Sequence, residues 1–209
     1  MDTAVTDQLL STTRAVRRRL DLERPVEHDV ILECLRLAVQ APTGGNQQAW
    51  RWLVVDDPEV RAGVADIYAR RTLATIDRRY PHIQDPQTRR VHDSARYLAT
   101  VLAKVPVLIV PCVQGRIDEP RSGHPAAFYG SIFPAIWNLQ LALRSRRMGS
   151  VLTTPFVGSD ERRYTEILQL PDTMTPVALL PVAYTIGDEF KPAERPPIET
   201  ITRWNRWTD

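Results

Sequence analysis

The stretch Ala41-Pro42-Thr43-Gly44-Gly45-Asn46-Gln47-Gln48-Ala49-Trp50 is the most informative of the chain, because it sets a polar, glycine-opened turn between a helical pattern and a strand. Two adjacent glycines let the backbone approach a ligand closely. Asn46 and Gln48 each offer a donor and an acceptor that suit the amide-like edge of a flat molecule. An ordinary helix-to-strand loop, with the amides making turn bonds, satisfies the same residues. Other chemistries find less support. Cys34 and Cys112 are spaced for neither a disulfide framework nor a metal site, and His28, His82, His92 and His124 form no ligand pair at helical spacing. No catalytic triad is apparent.

The elements that would position this loop follow from hydrophobic periodicity. Residues near 4 to 18 carry Val5, Leu9, Leu10 and Val16 among polar neighbours, which predicts a short amphipathic helix ending in Arg17-Arg18-Arg19 and bringing positive charge toward a site. From Asp29 to Gln40, apolar residues recur at three-and-four spacing until Pro42 stops the helix. Trp52-Leu53-Val54-Val55 reads as a strand closed by Asp56-Asp57-Pro58. A polar helix from Glu59 to Arg79, an exposed break from Pro81 to Pro86 and a helix from Thr88 to Lys104 come next. Val105 to Val113 is a continuous apolar run, as in a strand covered on both faces. Gln114 to Gly130 mixes glycines and prolines with charges and reads as a mobile loop. Ser131 to Met148 is the most apolar helix, buried nearly all round in a core or at a helix-to-helix dimer interface. Val177 to Ile186 is a third strand candidate, and the tail from Ile198 to Trp207 has no strong periodicity.

Composition narrows the class. At 209 residues with 43% hydrophobic content the chain suits a single domain over 1–209. Its 27 basic and 25 acidic residues leave a net charge of +2, which calls for neither nucleic acid nor an acidic membrane as partner. The N-terminus lacks a basic leader followed by an apolar run, and no apolar stretch approaches the ~20 residues that span a bilayer. A cytoplasmic protein is expected.

Pro42-Thr43-x-x-Asn46-x-Gln48-x-Trp50 resembles the proline, serine or threonine, asparagine, glutamine, proline, tryptophan pattern of the FMN-dependent nitroreductases. Arg14-Ala15-Val16-Arg17, Gly149 to Thr154 and Arg195-Pro196-Pro197 fall in that family's order. The resemblance spans nearly the whole chain. It implies an α+β protomer with a central, mainly antiparallel sheet flanked by helices, assembled as an intertwined homodimer with FMN at the interface.

The resemblance also assigns roles. Arg14 and Arg195 would hold the FMN phosphate, since guanidinium forks match phosphate oxygens. Arg17 would lie beside the pyrimidine, where its charge favours the reduced, anionic ring; a helix cap by Arg17 to Arg19 is the plainer reading. Ala15 stands where the family usually has a serine, and Thr13 where it has a second arginine, so one phosphate hydroxyl contact is in doubt. Pro42, Thr43, Gly44, Asn46 and Gln48 would reach the flavin, in many members from the other subunit. Ala49 replaces the usual proline, and Trp50 is structural. Leu152, Thr153 and Thr154 would run along the flavin's reactive edge, with a backbone or hydroxyl donor near nitrogen 5, or simply bond in the turn before Pro155. Thr153-Thr154-Pro155 invites comparison with the deiodinase-like branch, although Tyr68 to Arg90 shows no clear match to that branch's glutamate, tyrosine and lysine set.

The implied activity is an oxidoreductase that uses NADPH or NADH to reduce nitroaromatics, quinones or similar flat acceptors by ping-pong turnover. Other flavin chemistry on the same fold (dehalogenation, flavin fragmentation, dehydrogenation) and a non-catalytic FMN-binding redox sensor or storage protein are the alternatives. No metal is implied. The physiological acceptor and the choice of NADH or NADPH would depend on segments 68 to 90 and 114 to 130, which carry no interpretable motif.

Overall fold

The computed structural model describes residues 2–117, 125–156 and 160–207. Its centre is β2 (Val107–Gln114), flanked on one side by β1 (Trp50–Val55) and on the other by β5 (Leu180–Tyr184) and then β3 (Met148–Ser150). The short β4 (Met174–Pro176) pairs with the last residues of β2, beyond the reach of β5. Every named strand pair is antiparallel.

Successive side chains of a strand point to opposite faces, so the continuous apolar run in β2 demands cover on both. Leu108, Val110 and Cys112 pack into a cluster with Val64, Tyr68, Leu98 and Tyr164. These belong to α3 (Pro58–Arg79), α4 (Pro86–Val101) and α6 (Asp160–Leu168). Val107, Ile109 and Val113 face the other way, against Ile31, Cys34, Ile136 and Leu139. Those come from α2 (His28–Ala38) and α5 (Pro125–Ser145). The α+β expectation therefore holds as three layers, helices on each side of an antiparallel sheet.

Local signals set several boundaries. Asp57 accepts from the Glu59 and Val60 amides with Pro58 in the first turn of α3, and Asp85 caps α4 ahead of Pro86 in the same manner. The break between these helices is largely exposed, as its polarity implies.

Three expectations need correction. The first helix, α1 (Thr3–Thr12), stops well before the arginine cluster. The hydroxyls of Thr12 and Thr13 donate back to the Gln8 and Leu9 carbonyls, and the Val16 amide then donates to the Ser150 carbonyl at 2.9 Å. Arg17 to Arg19 thus lie in a bend and turn between the bridges at Ala15 and Leu20 and cap no helix. Secondly, the loop reading of Gln114 to Gly130 fails at both ends: Gln114 completes β2, and Pro125 to Gly130 open α5. Residues 118–124, including His124, lie outside the described residues. Thirdly, the strand candidate from Val177 to Ile186 resolves into β5 alone, with β4 preceding it.

β3 runs through a tight gap. A Cβ on Gly149 would lie 2.8 Å from Thr185 Cγ2 and 2.9 Å from both Val16 Cβ and Cγ1. These are branched side chains on neighbouring extended segments and cannot swing aside. Gly149→Ala should therefore cost about 1–3 kcal/mol by overpacking and lower the melting temperature by about 2–12 °C, measured by calorimetry. An unchanged melting point would mean that the gap relaxes freely.

Burial pushes the Cys112 thiol up to about 12 and raises that of Cys34 as well. In the unfolded chain a thiol titrates near about 8.5. The folded state therefore holds more protons than the unfolded state above that pH, and these groups make stability fall as pH rises through it. Denaturant melts at pH 7.5 and 9.5 should show the loss, and replacing both cysteines by alanine should shrink it.

Candidate functional site

The chain after α1 is drawn to the open edge of β3, where Ala15 bridges Ser150 in parallel and the Val16 side chain packs against Gly149. Because Val16 points inward, its neighbours Ala15 and Arg17 face away, toward a pocket of about 720 Å³. The pocket brings together Arg14, Ala15, Arg17, Leu152 and Arg195, which lie far apart in sequence.

Arg195 arrives there by way of an arginine brace. Arg19 donates from Nε to the Ile186 carbonyl at 2.8 Å and from Nη1 to the Glu189 carbonyl at 2.7 Å. Arg14 Nη1 donates to the Lys191 carbonyl at 2.8 Å, and Arg144 Nη2 to the Asp188 carbonyl at 2.7 Å. The Phe190 ring lies beside both the Arg19 and Arg144 guanidiniums, 4.1 and 4.7 Å from its centroid. Cation–π contacts of this kind and the charge-assisted bonds hold residues 186–191 in place, so the chain that follows enters the pocket at Pro192 to Arg195.

The electrostatics of the pocket are cationic. Arg17 Nη1 reaches the Ser94 hydroxyl at 3.3 Å, while its Nε is buried with no hydrogen-bond partner among the described residues. Loss of water by burial pushes this guanidinium's pKa down, although it stays charged at neutral pH. Arg14 and Arg195 bond only backbone carbonyls among the described residues. A buried donor without a partner is costly, and an anionic or carbonyl-bearing ligand would satisfy it.

The loop from Pro42 to Gln48 stands apart from this pocket. Thr43 and Gly44 line a second cavity of about 350 Å³ with Trp50, Arg116, Phe128 and Ser131. The Gly44 amide is tied to Ser131 Oγ at 3.1 Å. Asn46 and Gln48 are exposed and hold left-handed backbone, with φ of 53° and 50°, beside Gly45 at 59°. Gln48 Nε2 donates to Asn46 Oδ1 at 2.9 Å, so each amide retains capacity for a further partner. Non-glycine residues pay for such backbone, and it clusters at binding sites.

Leu152 lines the large pocket, whereas Thr153 and Thr154 line a third cavity of about 220 Å³. The two threonines differ. Thr153 Oγ1 donates to the Leu179 carbonyl at 2.8 Å, which commits its proton to the antiparallel bridge that pairs these two residues rather than to a local turn. Thr154 is exposed, and its hydroxyl has no hydrogen bond among the described residues.

Several pocket residues escaped the sequence reading. Gln87, Arg90, Val91 and Ser94 line the large pocket from α4, and Trp137 and Gln140 from α5. Positions 87, 90, 91 and 94 share one helix face, the signal that was there to be read. Gln140 is buried and donates to Ser150 Oγ at 3.1 Å, next to the bridge that holds Ala15. Among the described residues no group of histidine, cysteine, aspartate and glutamate is arranged to hold a metal, and no helix is long and apolar enough to cross a membrane.

Comparison with known proteins gives this geometry a context. The chain is 28% identical over 198 residues to iodotyrosine deiodinase of Thermotoga neapolitana, covering 94% of this chain and 96% of that protein. It is 29% identical over 205 residues to an NADH dehydrogenase of Thermus thermophilus, with 91% of each covered. Among solved structures, oxidized iodotyrosine deiodinase bound to FMN and 3-iodo-L-tyrosine superimposes with a TM-score of 0.72 at 23% identity, over 96% of this chain and 98% of that one. A nitroreductase-like protein from Bacillus cereus gives 0.64 at 19% identity, over 99% and 97%. The model of the nitroreductase family matches residues 10–184, which take in the arginine segment, the glycine-opened loop, the whole sheet and the Thr153-Thr154 turn, and the chain belongs to that family.

Proposed function

We propose that the chain is an FMN-dependent oxidoreductase that takes electrons from NAD(P)H and passes them to a flat acceptor such as a nitroaromatic or quinone. The observation that carries this reading is the meeting of Arg14, Arg17 and Arg195 in one pocket, with the Arg17 Nε buried and without a partner among the described residues. That donor set fits FMN. Arg14 and Arg195 would hold the phosphate, and Arg17 would offer its charge and its orphaned donor to the pyrimidine edge. Bound there, FMN would supply hydride acceptance from the nicotinamide and electron return to the acceptor in separate half-reactions. The Thr154 hydroxyl, rather than that of Thr153, would be free to donate toward the reactive edge.

The loop from Pro42 to Gln48 enters this scheme through a second copy of the chain. Thr43 and Gly44 line a cavity of their own rather than the arginine pocket, so a site using both needs the partner's loop. Large exposed apolar side chains support such a dimer: Leu32 and Leu37 on α2, Trp137 on α5, and Ile198, Ile201, Trp204 and Trp207 in the C-terminal tail. Reductive dehalogenation is the second reading, favoured by the deiodinase named among the relatives.

The purified protein should show the visible absorption of bound flavin, identified as FMN after release and chromatography. Anaerobic addition of NADPH or NADH should bleach it and rank the donors. Flavin that stays yellow with both donors would overturn the NAD(P)H half of the reading, and no flavin after reconstitution would overturn all of it.

Arg195→Ala should weaken FMN binding about 10- to 100-fold, the worth of one charge-assisted contact of about 1.5–3 kcal/mol, as read by ultrafiltration of free flavin. Unchanged occupancy would remove Arg195 from the site.

A further inference from the structure

The third cavity lies between α3 and α4 and is bordered by Thr153, Thr154 and Pro155. It adjoins the arginine pocket at Val91, which lines both. Its walls are mainly apolar, with Ile76 and Tyr68 from α3, Val91 and Ala95 from α4, and Pro155 from the turn. The hydroxyls of Thr75 and Thr154 line it and have no hydrogen bond among the described residues.

Size and charge limit what it can take. An apolar cavity of about 150 Å³ accepts benzene. At about 220 Å³ this one suits a single substituted ring and is too small for a dinucleotide. No carboxylate among the described residues lines it, while Arg71 and His92 do, and Arg71 is held by Asp160 at 2.9 Å. An ammonium group entering this cavity would gain no carboxylate from its described lining and would lie beside the Arg71 guanidinium, which already holds the nearby Asp160.

We infer that this cavity is the acceptor's ring subsite, built for a monocyclic aromatic that carries a hydroxyl or similar polar substituent and no ammonium group. Its role as an acceptor subsite rests on the proposed flavin chemistry. Its selectivity does not, because the walls act on any ring, redox-active or inert. The ring packs between Val91, Ala95 and Ile76, and its polar substituent bonds the Thr75 hydroxyl, which leaves that of Thr154 for the flavin edge. A zwitterionic aromatic amino acid is a poor fit, which sets this chain apart from a deiodinase acting on iodotyrosine.

A matched pair of redox-inert probes, 4-ethylphenol and tyramine, tests this, since they differ only by the ammonium group. Calorimetric titration of the purified protein should show 4-ethylphenol binding at least ten-fold more tightly than tyramine. Ala95→Phe, which fills the cavity, should weaken 4-ethylphenol at least ten-fold. Thr75→Val conserves the volume while removing the hydroxyl, and should weaken 4-ethylphenol but leave ethylbenzene unchanged; it decides the matter if Ala95→Phe does not fold. Equal affinity for the two probes, or no effect in a folded variant, overturns the subsite. Selective 4-ethylphenol binding by a protein whose flavin resists both NADPH and NADH would uphold the subsite while removing the donor half of the proposed function.

Discussion

Burial of β2 on both faces is the constraint from which the rest of the molecule follows. Seven of its eight residues are buried, and each large apolar side chain so placed is worth about 1.5–3 kcal/mol relative to exposure. Neither face can be left to water, so helices must cover both. The longest of them, α3 and α5, lie on opposite sides of the sheet. With the faces occupied, a ligand must enter at an edge or between helices. The arginine pocket takes the β3 edge, and the third cavity the seam between α3 and α4.

The same constraint explains what the sequence disclosed. A run such as Val107 to Val113 announces a central strand because nothing polar interrupts it, and the three-and-four spacing of α2 announces a helix with one buried side. β3 and β4 are three residues each, too short for a pattern to emerge. The end of α1 was hidden because the decisive bond, from the Val16 amide to the Ser150 carbonyl, joins residues 134 positions apart. Similarly, Gly130 suggested a loop where α5 had already begun, since apolar packing overrides the local cost of one glycine.

The site was legible in its parts and not in its assembly. A family pattern singles out the arginines at 14, 17 and 195 and the loop at 42–48 as candidates, and the fold gathers the arginines in one pocket. The contribution of α4 could not be anticipated, because Gln87, Arg90 and Ser94 are unremarkable polar residues until a neighbouring element gives their face something to line. The two threonines looked equivalent in sequence. Only the carbonyl of Leu179, brought close by its antiparallel bridge to Thr153 just ahead of β5, separates a hydroxyl already bonded from one still available.

The left-handed backbone at Gly45, Asn46 and Gln48 has a kinetic corollary. Its shape is fixed within one protomer by the Gln48 to Asn46 amide bond, the Thr43 hydroxyl and the anchor to Ser131. The conformational entropy of ordering the loop is thus lost during folding rather than when anything docks against it. A molecule or a second chain arriving there meets a finished surface. Its encounter rate is then governed by diffusion and orientation, with no slow loop-ordering step in between.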